Sequence, residues 1–136
     1  MANDFVVHVE IAAPIDAVWE LAGHPSRIAE WFGPVVSVRM DGDVRHAVMG
    51  NGHELVERIT HRDDTGHTYT YEVISGIPDL TSHAASISVD ERGKNSLVSW
   101  RQTATSSNPE YDIESRLRGV MEAGLTALRT LLEAPE

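Results

Sequence analysis

The chain has 136 residues, with 21 acidic against 11 basic side chains for a formal charge of −10, and it contains no cysteine. That length suits a single domain over 1–136 that buries a core of its own, while the missing thiol excludes disulfides, zinc–thiolate sites and thiol nucleophiles. The acidic balance opposes phosphate backbones and anionic lipid surfaces, so nucleic acid is not an expected partner.

Residues 4 to 11 alternate, with Phe5, Val7, Val9 and Ile11 on one face and His8 and Glu10 on the other. This pattern predicts a half-buried strand. Pro14 suits the first turn of a helix. Ile15, Val18 and Trp19 form its apolar stripe, and Gly23 ends it. Pro25 opens a second short helix, with Ile28, Trp31 and Phe32 inward, closed by Gly33-Pro34.

Strands and turns follow to about residue 105. Val36, Val38 and Met40 alternate, Asp41-Gly42-Asp43 turns, and Val44 to Met49 returns to a turn at Gly50-Asn51-Gly52. His53 to Arg62 places Leu55, Glu57, Ile59 and His61 on one face. Thr68 to Ile74 carries Tyr69, Tyr71 and Val73 on one side, and Ser75 to Leu80 is a loop. Ser82 to Asp90 and Ser96 to Thr105 flank a turn at 91–95. The short connections predict seven strands in an antiparallel sheet.

After a break at 106–109, residues 110 to 133 repeat Ile113, Leu117, Val120, Met121, Leu125, Leu128 and Leu132 at helical spacing. Gly119 and Gly124 are poor helix formers, costing up to about 1 kcal/mol each against alanine. They serve close approach, leave room for a ligand, or are incidental to packing. There is no basic n-region with an apolar stretch behind it and no run near about 18 apolar residues. Both absences predict a cytoplasmic protein without a membrane span.

This order of elements, together with Ala13-Pro14-x-x-x-Val18-Trp19, Trp31 with Pro34, Gly42-x-Val44-Arg45, Glu57, Trp100 and Gly124-Leu125, resembles the superfamily of the birch pollen allergen. The same superfamily includes the steroidogenic-acute-regulatory-related lipid-transfer domains, the polyketide cyclase/dehydrase-like proteins and the plant abscisic acid receptors. The polyketide cyclase/dehydrase-like subgroup is the nearest in pattern. The resemblance implies an α+β helix-grip fold, in which a curved seven-stranded antiparallel sheet wraps a long C-terminal helix around a cavity. It also implies that Glu57 joins a polar network at the ligand and that Tyr71, His83, Trp100 and Gln102 line the cavity. The receptors' gate would fall at Gly50-Asn51-Gly52, which is shorter here. Their latch would fall near Pro78-Asp79-Leu80, where only the leucine matches. Both departures argue against hormone reception through a phosphatase-docking gate.

Among apolar neighbours, Glu57 is the sharpest chemical candidate. A buried carboxylate is harder to ionise unless a positive partner compensates, and it can then serve as acid or base, contact a ligand, or simply pair. Tyr71 and His83 join it as candidate catalytic groups. Val38, Met49, Ile59, Tyr69, Trp100, Gln102, Arg116, Met121 and Gly124 are candidate ligand contacts. Arg116 either meets a ligand carboxylate or pairs with Glu110 or Asp112. Arg45 is expected to face outward and brace a neighbouring strand. The seven histidines show no paired helical spacing, and neither metal nor cofactor is expected. Two functions compete: binding of a small hydrophobic molecule of polyketide, lipid or terpenoid type, or a polyketide cyclase, aromatase or dehydratase using the same cavity.

Overall fold

The computed structural model describes residues 3–134. Strand β1 (Asn3–Ile11) leads into helix α1 (Ile15–Ala22) and a 3-10 helix at Pro25–Glu30. Six strands follow: β2 (Val35–Asp41), β3 (Val44–Met49), β4 (Glu54–Asp63), β5 (Thr68–Ser75), β6 (Leu80–Arg92) and β7 (Asn95–Ser106), and the chain ends in helix α2 (Ile113–Glu133). The strands form one sheet in the order β1-β7-β6-β5-β4-β3-β2, antiparallel at every pairing. This is the helix-grip architecture expected from the sequence.

Each hairpin joins sequence neighbours, so only the step from β1 to β2 must cross the sheet. Helix α1 and the 3-10 helix make that crossing. Pro14 caps α1 from the residue before it, with extended backbone. At the other end of α1 the Trp19 ring lies directly over Gly23, where any Cβ would overlap it. The Trp19 indole N–H donates to Asp64 Oδ1 at 2.8 Å, tying α1 to the β4–β5 turn. Helix α2 starts at Ile113, the first residue of its apolar repeat and three residues later than the expected 110, because the Asp112 side chain accepts from the Ser115 backbone N–H and caps it.

Helix α2 packs against β1, β7 and α1. Ile113, Met121, Leu125 and Leu128 are buried along it, and the last three join Phe5, Val7, Ile11, Val98 and Trp100 of the two strands in one continuous core. Trp31, Phe32 and Trp100 meet edge to face, with ring centroids 5.5–6.0 Å apart. Gripped at the β1–β7 side, the helix leaves a hollow over β4 to β6.

Breaks in register bend the sheet and change which side chains face in. One falls in β4 between Ile59 and His61, leaving Thr60 as the extra residue. Alternation places His61 on the face of Leu55, Glu57 and Ile59, but beyond the bulge His61 is exposed and Arg62 turns inward. There Arg62 Nε donates to the Gly23 carbonyl at 2.7 Å, and its guanidinium lies over the Trp19 ring. No helix of the described residues is long and apolar enough to cross a membrane.

Candidate functional site

Arg45 on β3 and Glu57 on β4 are directly paired in the sheet register, and both face the core. Arg45 is fully buried, which overturns the expectation that it faces out. Its Nε donates to Glu57 Oε1 at 2.9 Å. Its Nη2 lies 2.9 Å from the same oxygen without a hydrogen bond of its own. Its Nη1 donates to the Pro25 carbonyl at 3.0 Å and more distantly to Tyr69 Oη at 3.5 Å, and the guanidinium sits over the Tyr71 ring. Burial works against the charge on Arg45, but the Tyr69 oxygen and the Glu57 carboxylate outweigh it and hold the pKa above the usual value. Both close contacts to Glu57 use Oε1. Among the described residues no donor reaches Oε2.

Two further polar pairs have their protons placed by groups that can act in only one way. An indole N–H only donates, so the 2.8 Å contact between Trp100 Nε1 and Tyr71 Oη makes the phenol oxygen the acceptor. The Tyr71 proton then has no acceptor among the described residues. The backbone N–H of Val73 donates to His83 Nδ1 at 3.1 Å, so the ring's proton sits on Nε2. That proton faces Gln102 Oε1 at 2.7 Å, which orients the amide and leaves its NH2 without an acceptor among the described residues.

Burial raises the Tyr71 pKa well above the usual phenol range, helped by the nearby Glu57 carboxylate. Burial lowers that of His83, against the opposing hydrogen bond to Gln102 and the charges of Glu57 and Glu72. A lowered folded-state value means that the unfolded chain takes up the proton first. The stability contributed by neutral His83 is therefore complete above about pH 6.5 and is lost as pH falls from there through the folded-state value. We expect His83→Gln to flatten the fall in urea midpoint between about pH 7.5 and pH 5 relative to the parent. Parallel pH profiles for the two proteins would contradict it.

These groups border a hollow of about 180 Å³. Phe32 and Trp100 form an aromatic wall, Leu55 and Val73 rise from the sheet, and Leu117 and Val120 cover it from α2. Of the residues expected from the sequence, Met49, Glu57, Tyr71, His83, Trp100 and Gln102 line it. The other six do not. Val38 lies on β2, the edge strand, and packs on the rim of the core, while Ile59 faces a separate surface hollow beside Pro25. Tyr69 lies with its hydroxyl against Arg45, and Met121 is sealed in the core. Arg116 is exposed on α2, with no hydrogen bond or ion pair to Glu110 or Asp112 among the described side chains. Gly124 gives close approach rather than room: a Cβ there would stand 2.7 Å from Phe32 Cδ1.

The sequence reading missed Leu55, Val73, Leu117 and Val120 as wall residues, although parity and helical spacing with Glu57, Tyr71 and Met121 point to them. It missed Phe32, Pro34, Gly76 and Ile77 because they come from a turn and loops, where no period applies. Among the described residues no three His, Asp or Glu side chains are grouped as metal ligands.

The fold and sequence have clear relatives. A protein of unknown function from Bacillus thuringiensis superposes with a TM-score of 0.90 at 26% identity, covering 97% of this chain and 100% of that one. A Thermobifida fusca protein solved by NMR in solution shares 30% identity at a TM-score of 0.82, covering 98% and 97%. The Zhui aromatase/cyclase from a Streptomyces species has the same fold, with a TM-score of 0.82 over 98% and 94% of the two chains at 16% identity. No curated protein matches the sequence. Residues 3–133 match the family described as polyketide cyclase/dehydrase and lipid transport, and the chain belongs to that family.

Proposed function

We propose that the chain binds a small, mainly hydrophobic molecule of polyketide, lipid or terpenoid type in the hollow between the sheet and α2. The observation that carries this reading is a mainly apolar hollow of about 180 Å³ beside the hydrophobic core. An apolar cavity of about 150 Å³ is already enough for benzene, so one or two rings fit the space. A flat wall of Trp100 and Phe32 suits such rings, and the reading needs no metal or cofactor.

A cyclase, aromatase or dehydratase is the second reading. It is supported by the family description and by the Zhui enzyme's activity, together with the unused Glu57 oxygen and Tyr71 proton. Binding is the better supported of the two. Both His83 nitrogens are engaged, Glu57 is neutralised by Arg45, and Tyr71 holds its proton more tightly than a free phenol.

Native mass spectrometry of freshly purified protein tests the proposal, together with uptake of an anilinonaphthalene dye. We expect either a retained small molecule released on denaturation or dye uptake that quenches tryptophan emission. Leu117→Trp, which fills the hollow, should abolish the signal. Neither retention nor uptake, or uptake unchanged in Leu117→Trp, would overturn the proposal.

A further inference from the structure

The polar groups of the hollow have a definite donor and acceptor pattern, and it is set by the protein rather than by a ligand. Glu57, Tyr71 and Gln102 are each more than nine-tenths buried. All three border the hollow, and each has hydrogen-bonding capacity that no described residue uses. Glu57 offers Oε2, an acceptor. Tyr71 offers its hydroxyl proton, because Trp100 occupies its oxygen as a donor. Gln102 offers its NH2, because the Val73 N–H fixes His83 and His83 fixes the amide.

Tyr71 and Gln102 lie in one row across the sheet, Tyr71 pairing with Ala85 and Ala85 with Gln102. Two strand spacings separate their backbones, about 9–10 Å. The alanine between them leaves space for both longer side chains to reach toward the same region. Glu57 stands on β4, the strand next to Tyr71, two residues from Tyr71's partner Ile59. One side of the hollow therefore presents donors, and the neighbouring strand presents an acceptor.

The charge pattern is equally definite. Among the described residues Glu57 is the only charged one bordering the hollow, and no lysine or arginine does so. Arg45 lies behind the lining, with Nε on Oε1, Nη1 on the Pro25 carbonyl and its face on the Tyr71 ring, and its Nη2, which has no hydrogen bond among the described residues, is fully buried. A carboxylate ligand would give up its water to face another carboxylate with no counter-ion, which is strongly unfavourable. A hydroxyl would complete Oε2, and a carbonyl would complete the donors of Tyr71 and Gln102.

Resting on the proposed binding role, we infer that Glu57 is the specificity-determining residue of this pocket. It selects a neutral ligand that donates a hydroxyl to Oε2 and accepts at its carbonyl from Tyr71 and Gln102, and it rejects carboxylates. Arg45 is the positioning residue that points Oε2 into the hollow by holding Oε1.

Four bicyclic probes of similar size separate these terms: tetralin, tetralone, hydroxytetralone and tetralin carboxylic acid. Their binding is read by tryptophan fluorescence and by calorimetry on the full chain. We expect affinity to rise from tetralin to tetralone to hydroxytetralone by about tenfold or more overall. The carboxylic acid should bind more weakly than tetralin at neutral pH. Tyr71→Phe should lower affinity for tetralone several-fold more than it lowers affinity for tetralin. Glu57→Gln should remove the rejection of the acid. Because that variant strands a buried arginine and can unfold, Tyr71→Phe and the parent's probe ranking carry the test without it. Equal affinities across the neutral probes would overturn the inference and leave a purely apolar pocket. The acid binding tightest would overturn the inference alone. No binding by any probe would overturn both the inference and the binding role beneath it.

Discussion

Replacing Glu57 by glutamine is expected to destabilise the protein by about 3–5 kcal/mol, the range for breaking a buried ion pair by removing one partner. The amide still offers an oxygen to Arg45 Nε, but the guanidinium charge stays in the core with no counter-ion. Arg45 is fully buried between the Pro25 carbonyl and the Tyr71 ring, out of reach of water. Arg45→Met should cost less. It leaves the charge on Glu57, a residue that borders the hollow, where water can reach it. The double variant Arg45→Met/Glu57→Leu removes both charges and should recover most of the loss, because well-packed apolar replacements of a buried pair are often neutral or stabilising. Urea denaturation of the parent, Arg45→Met, Glu57→Leu and the double variant completes the cycle, with Glu57→Gln measured beside it. Single variants within about 1 kcal/mol of the parent, or a double variant that merely adds their losses, would show that the pair is not coupled as its geometry requires.

Leu128→Ala is expected to cost about 2–5 kcal/mol, as deletion of a fully buried leucine side chain does. Leu128 has no exposed surface and lies with Met121 and Leu125 on the stripe of α2 that faces the sheet. Leu131, one turn further on, keeps 51% of its surface exposed. Leu131→Ala should therefore stay within about 0.5 kcal/mol. The contrast between two leucines three residues apart tests the orientation of the helix on the sheet. Similar losses at both positions, measured by thermal or chemical denaturation, would contradict it.

The element order and the antiparallel sheet were legible because their signals are periodic. Phe5, Val7 and Ile11, Tyr69 and Tyr71, and Val98, Trp100 and Gln102 all face where alternation puts them. Arg45 was legible too. Met49 was assigned to the inner face, and Arg45 shares its parity through Ala47, so the same rule turns the arginine inward. Charge suggested the surface, but the partner that makes burial tolerable, Glu57, lies across the strand pair and not along the sequence. The β4 bulge was not legible. One extra residue at Thr60 exchanges the faces of His61 and Arg62, and nothing in the local composition marks it. Gly124 showed a similar limit. A glycine in a helix signals that something is close, but only the packing reveals that it is the Phe32 ring and not a ligand.

The three tryptophans supply the most direct measurement of whether this hollow is the binding site. The Trp100 ring borders it and its indole N–H donates to Tyr71. The Trp19 indole N–H is tied to Asp64 at the β4–β5 turn, away from the hollow's lining. Tetralone titrated into nitrogen-15-labelled protein should move the Trp100 indole resonance progressively to a plateau and leave that of Trp19 in place. If the Trp100 resonance stays fixed up to the solubility limit of the probe, or if Trp19 moves in its stead, the hollow between sheet and helix is not where this protein takes its ligand.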